Sequence, residues 1–268
     1  ELIKTEEANV ILVGDEGVGK HTIINELAYR MYSGVTIPGL QNMRIVVLNM
    51  EKALAARKNY DEEMEFLEDL LSEAAAAKNI IVVVDDFHKY CSKDLVGDYS
   101  SLWEKFGKTP FVKFLAVTTP FFYQQVVYSN EKIQRLFTKV EVKEVTTEKT
   151  IAILEDKVPF FESKYKLVIP FETLEHVVNR CEFYIPAVQF PQKAIKLLDE
   201  VCIWFSEKKV GAGSSSPHIL SDVVDAVLSQ RTRIPVGALT PDFKEKLLKL
   251  ESILNEKIKG QIAAMVAV

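Results

Sequence analysis

The stretch Gly14-Asp-Glu-Gly-Val-Gly-Lys-His-Thr22 decides the fold of this chain. It follows an apolar run, Val10-Ile-Leu-Val13, and it precedes residues 23–31, where apolar side chains recur with helical spacing. Strand, glycine-rich turn and helix in this order predict a phosphate-binding P-loop. In such a turn successive backbone N–H groups point inward, and the start of the helix adds a partial positive charge.

The spacing G-x-x-x-x-G-K is met by Gly14, Gly19 and Lys20, whose ammonium group would reach the β- and γ-phosphates of a nucleotide. The next position of the motif is Ser or Thr, which holds Mg²⁺, but here it is His21. Thr22 lies one residue later, about 100° further round the helix, so it cannot simply substitute. The predicted phosphate-binding residues are Gly14, Gly17, Val18, Gly19, Lys20, His21 and Thr22.

The composition is that of an ordinary globular protein, with 268 residues, 48% hydrophobic and 26% charged. A net charge of −5 argues against a nucleic-acid partner. The three cysteines fit no zinc spacing and favour a reducing compartment, which predicts a cytoplasmic location. We expect no membrane segment, because no apolar run approaches the roughly 20 residues of a membrane span. A start without Met and an apolar last stretch indicate a fragment of a longer protein.

Strands and helices alternate in the first half of the chain, which predicts an α/β fold with a five-stranded parallel sheet flanked by helices. The predicted strands are Asn9–Val13, Arg44–Met50, Ile80–Asp85, Phe111–Thr118 and Lys139–Val142. After Glu144 only helical patterns follow, at Thr147–Leu154, Phe171–Arg180, Pro191–Phe205 and Ser221–Ser229. The predicted domains are an α/β part at 1–145, a small helical part at 146–230, and a linker at 231–268 that begins a second module.

Two strands end in residues that suit nucleotide chemistry, because ligands of open parallel sheets bind beyond the carboxyl ends of the strands. Asp85 follows the third strand and is the expected Mg²⁺ partner. Asp86 stands where many P-loop ATPases have a Glu that orients the attacking water, and it is one methylene shorter. Thr118 and Thr119 end the fourth strand and would touch the γ-phosphate or the water, although Thr-Thr-Pro is also a common turn.

Taken in order, these segments resemble the first AAA+ module of a ClpA/ClpB-type unfoldase, with the helical part as its lid. The residues that carry the resemblance are Gly14–Thr22, Ser33–Leu40, Val46–Met50, Val82–His88, Ala116–Thr119, Thr150–Leu154, Tyr184-Ile185, Pro191–Ile195, Leu197–Glu200, Arg233–Val236 and Lys259–Gln261. The resemblance implies ATP or ADP with Mg²⁺ as cofactors, a hexameric ring, and unfolded polypeptide threaded through a central pore. A protease partner is also possible in this family.

The resemblance also assigns roles to residues outside the P-loop. Asp85 resembles the metal-binding acid, and Thr118 or Thr119 resembles the first sensor. The family has two adjacent arginines before a Phe, and the matching segment here is Ile133-Gln-Arg-Leu-Phe137. Only Arg135 is present, because the second position is Leu136. Arg135 is either a catalytic arginine that acts on a neighbouring subunit or a member of a surface ion pair.

Three further positions are carried over from the family. Asn59 occupies the aromatic position of the pore loop, and Tyr60 follows one residue later. Tyr60 would grip a substrate or, equally, pack on its own domain at the start of a helix. Lys193 lies on the lid helix that faces the nucleotide and is either a weak phosphate contact or a solvated lysine. His88 is expected to be structural, and a phosphate-linked role stays open.

Three functions compete at this point. The preferred hypothesis is a module that binds nucleotide and hydrolyses it slowly, because His21, Asp86 and Leu136 all depart from the family at one reaction centre. The alternatives are a fully active ATPase that drives polypeptide translocation and a structural ring module that binds no nucleotide. A P-loop GTPase or kinase is disfavoured, because the chain has no N-K-x-D motif and carries a helical second part.

Overall fold

The computed structural model of the protein describes residues 2, 9–92, 95–212, 218–234 and 236. These residues form two compact units. The first runs to Thr146 and includes the later segment Ala187–Lys193; the second comprises Thr147–Pro186 and the chain from Ala194 onward. Most of the predicted linker and second-module start at 231–268 lies outside the described residues.

The first unit is built on a parallel sheet, as the alternation of strands and helices predicts. Its strands are β1 (Asn9–Val13), β2 (Arg44–Leu48), β3 (Ile80–Val84), β6 (Val112–Thr118) and β7 (Phe137–Glu141), and a small antiparallel hairpin adds β4 (Cys91–Ser92) and β5 (Gly97–Asp98). The five long strands lie in the order β2-β3-β6-β1-β7, and every pairing is parallel. The sheet is therefore the predicted five-stranded one.

The three central strands β1, β3 and β6 bury side chains on both faces, because helices cover both sides of the sheet. Ile11 and Val13 join one apolar cluster, whereas Val10 and Leu12 join another on the opposite face. The helices of this unit are α1 (Lys20–Tyr32), α2 (Met50–Ala55), α3 (Tyr60–Ala77), α4 (Ser100–Gly107), α5 (Pro120–Phe122) and α6 (Glu131–Gln134). Single 3₁₀ turns occur at Pro38–Leu40 and Phe87–Tyr90, and a π-helical turn at Tyr123–Val127.

The end of one strand was predicted wrongly, and one helix that packs in the core was not predicted. The second strand ends at Leu48, not Met50, because the side chain of Asn49 accepts a hydrogen bond from the Lys52 N–H at 3.0 Å and caps α2. Helix α4 was not predicted at all. Its apolar side chains, including the fully buried Trp103, complete the core on one face of the sheet.

The second unit is helical, with α7 (Thr147–Tyr165), α8 (Phe171–Tyr184), α9 (Gln192–Ala212) and α10 (Ser221–Thr232). Helix α7 extends 11 residues beyond the predicted Leu154 and contains Pro159. Helices α7 and α10 both pack on α8, whose Val177 and Val178 are completely buried. In the described part of the chain no helix is both long enough and apolar enough to cross a membrane.

Candidate functional site

The residues predicted at the ends of three strands converge at one edge of the sheet. Val13, the last residue of β1, pairs with Thr118, the last residue of β6, and β3 ends beside β6. The Gly14 N–H donates a hydrogen bond to the Thr118 carbonyl oxygen at 3.3 Å. The loop after β1, the acids after β3 and the threonines of β6 are thus brought to a common edge.

The loop between β1 and α1 has a backbone that requires glycine. Gly17 and Gly19 have φ angles of 90° and 95°, in the left-handed region that other residues rarely adopt. A Cβ atom on Gly14 would lie 2.5 Å from the Val142 carbonyl oxygen. Val18 is buried and anchors the loop. The glycines of the motif are therefore needed for the shape of the loop as well as for access to its N–H groups.

The ammonium group of Lys20 folds back into this loop. Its Nζ atom donates to the carbonyl oxygens of Gly14 at 2.6 Å and Asp15 at 2.8 Å. The residue is 8% exposed, and burial lowers the pKa of Lys20 below its ordinary value. Its hydrogen bonds go to neutral carbonyls, and Asp85, Asp15 and Glu16 act on it electrostatically. A buried cation in a glycine cradle fits an anionic ligand such as a nucleotide phosphate.

His21 contacts the acid that ends β3. Its Nε2 atom lies 2.9 Å from Oδ2 of Asp85, and both side chains are about half exposed or more. Thr22 is exposed on the next position of α1. The predicted metal position therefore offers a carboxylate and an imidazole rather than a carboxylate and a hydroxyl. Asp85 fits Mg²⁺, which prefers oxygen ligands, but His21 does not.

Asp86 is engaged by a lysine. Its Oδ2 atom accepts a hydrogen bond from Lys89 Nζ at 2.7 Å, and this contact raises the pKa of Lys89. The backbone of Asp86 has a φ of 47°, in the left-handed region, where the chain turns from β3 into the following 3₁₀ turn. The predicted water-orienting carboxylate is thus turned toward its own 3₁₀ turn.

The hydroxyl of Thr118 is buried against a histidine. Its Oγ1 atom lies 3.0 Å from His88 Nδ1, and the His88 ring stacks on Phe122 with 4.0 Å between centroids. Burial lowers the pKa of His88 below its ordinary value, so the ring is neutral at pH 7. Thr119 is half-buried, and its carbonyl oxygen accepts from the Tyr123 N–H at 2.9 Å. Thr118 therefore has a hydrogen-bond partner within the protein.

Lys193 is 7% exposed, so it is not the solvated lysine of the alternative interpretation. Its Nζ atom lies 3.6 Å from Glu144 Oε1 and 3.9 Å above the centre of the Phe190 ring. Gln192, in the same segment, approaches the P-loop: its Oε1 atom would be 2.7 Å from a Cβ on Gly17. The segment that carries Lys193 thus borders the phosphate cradle, although Lys193 itself is paired with Glu144.

Arg135 lies at the other edge of the sheet. It precedes β7, and Phe137 at the start of β7 pairs with Asn9 at the start of β1, so Arg135 is remote from the P-loop of this chain. Its side chain is 75% exposed and pairs with Glu131 one helical turn earlier. Leu136, by contrast, is 6% exposed within the apolar core.

The two predicted pore-loop residues begin helix α3. The side chain of Asn59 accepts a hydrogen bond from the Glu62 N–H at 2.9 Å and so caps the helix. The Tyr60 hydroxyl donates to the Asp98 carbonyl oxygen at 2.5 Å, and its ring lies 5.5 Å from that of Tyr99. Tyr60 is nevertheless 46% exposed, so it is not buried by these contacts.

Three residues of the site were not predicted. Lys89 holds Asp86, Glu144 contacts Lys193 and accepts from the Phe190 N–H at 2.6 Å, and Phe122 stacks on His88. An acid followed three residues later by a lysine is a visible signal for the first contact. Glu144 and Phe122 are far in sequence from their partners, so nothing in the local pattern indicates them.

Comparison with known families identifies two matches. The profile described as ATPase family associated with various cellular activities (AAA) matches residues 10–124, and that of the AAA lid domain matches residues 146–232. The first match lies within the α/β part and the second covers the helical part; residues 125–145, which include β7, lie between them.

Individual relatives agree with these profiles. The chain is 28% identical to the chaperone protein ClpB of Aquifex aeolicus over 99% of its own length and 26% of that protein. It is 22% identical to the negative regulator of genetic competence ClpC/MecB of Bacillus subtilis, covering 100% of the chain and 40% of the relative. The Saccharomyces cerevisiae Hsp104–casein complex matches with a TM-score of 0.79 and 26% identity over 99% of this chain and 45% of that one. The chain thus spans less than half the length of these relatives.

Proposed function

The chain belongs to the Clp-type branch of the AAA+ family, and from this premise we propose that it is a nucleotide-binding module of a protein unfoldase or chaperone that binds ATP or ADP and hydrolyses ATP slowly. The main support is the contact between His21 and Asp85. His21 follows directly on the phosphate-binding loop, and it occupies the position where a hydroxyl would help Asp85 to hold the metal.

Nucleotide binding is supported by the loop after β1. Its left-handed glycines lead into the start of α1, where unpaired N–H groups carry a partial positive charge, and Lys20 adds a full positive charge there. A bound phosphate would replace the two carbonyl oxygens that now hold the Lys20 ammonium. Lys193, across the loop, would add a second cation if its contact with Glu144 loosened.

Slow hydrolysis is supported by the two acids after β3. A bound Mg²⁺ would neutralise charge on the phosphates, and Asp85 would hold it without help from a hydroxyl at position 21. Asp86 is shorter than the usual glutamate and is paired with Lys89. Since a displacement of about 1 Å of a positioning group costs on the order of 100-fold in rate, this acid orients water poorly.

Assembly and substrate are inferred from the relatives. Hsp104 has been solved in complex with casein, which suggests a polypeptide substrate for the protein that contains this module. We infer a hexameric ring with nucleotide between subunits, in which the exposed Arg135 points to a neighbouring subunit. We also infer a pore loop that includes Asn59 and Tyr60, and a cytoplasmic location. The proposal leaves open whether a protease is a partner.

Binding is tested by calorimetry with ATP and ADP. We expect heat with both nucleotides and its loss in the Lys20→Ala variant, because the cradle then lacks its cation. Lys105→Ala is the matched control: it removes a lysine from a surface pair with Glu68. Absence of heat with either nucleotide would favour the structural ring module instead.

Turnover is tested in the assembled full-length protein. The double variant His21→Thr, Asp86→Glu restores the hydroxyl and the longer acid, so we expect its ATPase rate to rise by roughly 10- to 100-fold. A wild-type rate equal to that of the double variant would contradict slow hydrolysis and favour the fully active ATPase.

A further inference from the structure

We propose that His21 and Asp85 form a metal site that selects a first-row transition ion, Mn²⁺ or Co²⁺, over Mg²⁺ when nucleotide is bound. The observation is the placement of an imidazole nitrogen and a carboxylate oxygen side by side at the edge of the phosphate cradle. The inference rests on the proposed nucleotide binding and specifies which ion accompanies the nucleotide.

The spacing of the two donor atoms suits a single ion. His21 Nε2 and Asp85 Oδ2 are 2.9 Å apart. Two neighbouring ligands of an octahedral ion with bonds of about 2.1 Å are separated by about 3.0 Å, since the separation is √2 times the bond length. Little movement is needed for both atoms to bind the same ion. The exposed fractions of the two side chains, 64% and 48%, leave the pair open to solvent and to a phosphate.

The donor chemistry separates the candidate ions. Mg²⁺ is a hard ion that takes oxygen ligands and keeps several waters, whereas imidazole suits first-row transition ions. Replacing the usual hydroxyl by His21 removes one oxygen and supplies one nitrogen. Nε2 binds an ion through its lone pair, so the ring carries its proton on Nδ1 in the metal-bound state. Phosphate oxygens of the nucleotide and water would supply the remaining ligands.

Asp85 is held in the orientation that this site needs. Its Oδ1 atom accepts a hydrogen bond from the Asp86 N–H at 3.1 Å, which leaves Oδ2 directed to His21. Lys20 interacts electrostatically with Asp85, whereas Lys89 is taken by Asp86. A bound phosphate would draw the Lys20 ammonium to itself, which would leave the Asp85 carboxylate for the ion.

The helical unit contains a matched pair that should not bind metal. His176 Nε2 lies 2.9 Å from Asp225 Oδ1, the same spacing as in the proposed site. There, however, Arg180 donates to both carboxylate oxygens, at 2.7 Å and 3.0 Å, and neutralises the acid. Substitution of His176 thus changes an equivalent histidine–aspartate contact within the helical unit, and His176 is not among the residues proposed to hold nucleotide.

The first experiment measures the affinity of the chain for the non-hydrolysable analogue AMP-PNP with Mg²⁺, Mn²⁺ or Co²⁺ as the only divalent ion. We compare the wild type with His21→Thr and with His176→Gln. For each protein we take the ratio of its affinity with Mn²⁺ or Co²⁺ to its affinity with Mg²⁺. We expect this ratio to be at least about tenfold larger in the wild type and in His176→Gln than in His21→Thr. This comparison cancels the preference of the nucleotide itself.

The second experiment detects the nitrogen ligand directly. Pulsed electron paramagnetic resonance of Mn²⁺ bound with AMP-PNP should show coupling to an imidazole nitrogen in the wild type and in His176→Gln, and none in His21→Thr. Equal affinity ratios in all three proteins, or no nitrogen coupling in the wild type, would overturn the inference while nucleotide binding stands. Failure of AMP-PNP to bind with any ion would contradict the proposed function as well.

Discussion

Acid should destabilise the α/β unit through His88. The residue is 3% exposed, its Nδ1 atom lies 3.0 Å from Thr118 Oγ1, and its ring stacks on Phe122. Burial holds the pKa of His88 below the ordinary 6.5. Protonation of the ring in the folded state would place a charge in a dry environment and would force its contact with the hydroxyl to rearrange.

The direction of the effect follows from proton linkage. Between the folded pKa of His88 and about 6.5, the unfolded chain binds more protons than the folded chain, so the free energy of unfolding rises with pH. The contribution of His88 is fully present above about 6.5 and is lost as the pH falls through the folded pKa. Because one group releases one proton, the slope is at most about 1.4 kcal/mol per pH unit.

The assay is urea denaturation of the wild type and of His88→Gln at several values between pH 5 and pH 7.5. Glutamine retains a polar atom for Thr118 but does not titrate. Acidic groups titrate alike in both proteins, so the difference between their unfolding free energies isolates His88. That difference should shift in favour of the wild type as the pH rises. A difference independent of pH, or one that shifts the opposite way, would refute the reasoning.

Three further changes have defined outcomes. Lys89→Met frees Asp86 from a half-exposed ion pair worth about 0.2–1 kcal/mol, so the ATPase rate should rise up to about fivefold, whereas Lys105→Met should leave it unchanged. Leu136→Arg should lower the free energy of unfolding in urea by at least about 2 kcal/mol, because it places a charge in the core and removes a buried side chain. Asp225→Asn should lower the free energy of unfolding by about 1–3 kcal/mol, because the half-buried Arg180 loses its bidentate carboxylate partner. An unchanged melting temperature would contradict this account.

Most of the sheet could be predicted because its strands carry their own signal. The apolar runs of β1, β3 and β6 are buried on both faces, and such runs have few alternative structures. The end of β2 was misjudged because the apolar, buried Met50 looks like a continuation of the strand, whereas the Asn49 cap places it in α2. Helix α4 was missed because eight residues are too few for a clear helical period.

The candidate site was predictable only as far as local motifs reach. Glycine spacing and the acids after β3 indicate the cradle, since both sets of residues sit at strand ends. The contacts that bear on hydrolysis depend on side-chain direction, which the sequence does not specify. Lys89 meets Asp86 because the latter adopts a left-handed backbone, and His21 meets Asp85 because β1 and β3 are brought to one edge by β6 between them.

The position of Leu136 changes the argument for slow hydrolysis. Ile133 and Leu136 are one helical turn apart and both point into the core, whereas Arg135 between them points to solvent. An arginine at position 136 would therefore need a different local packing before it could reach a neighbouring subunit. Arg135, the exposed residue of the pair, is still an arginine. Of the three substitutions that were expected to slow hydrolysis, only His21 and Asp86 therefore still support the argument. Asp86 follows β3, and His21 contacts Asp85, which also follows β3. The double variant His21→Thr, Asp86→Glu is therefore a sufficient test of slow hydrolysis, without any change at position 136.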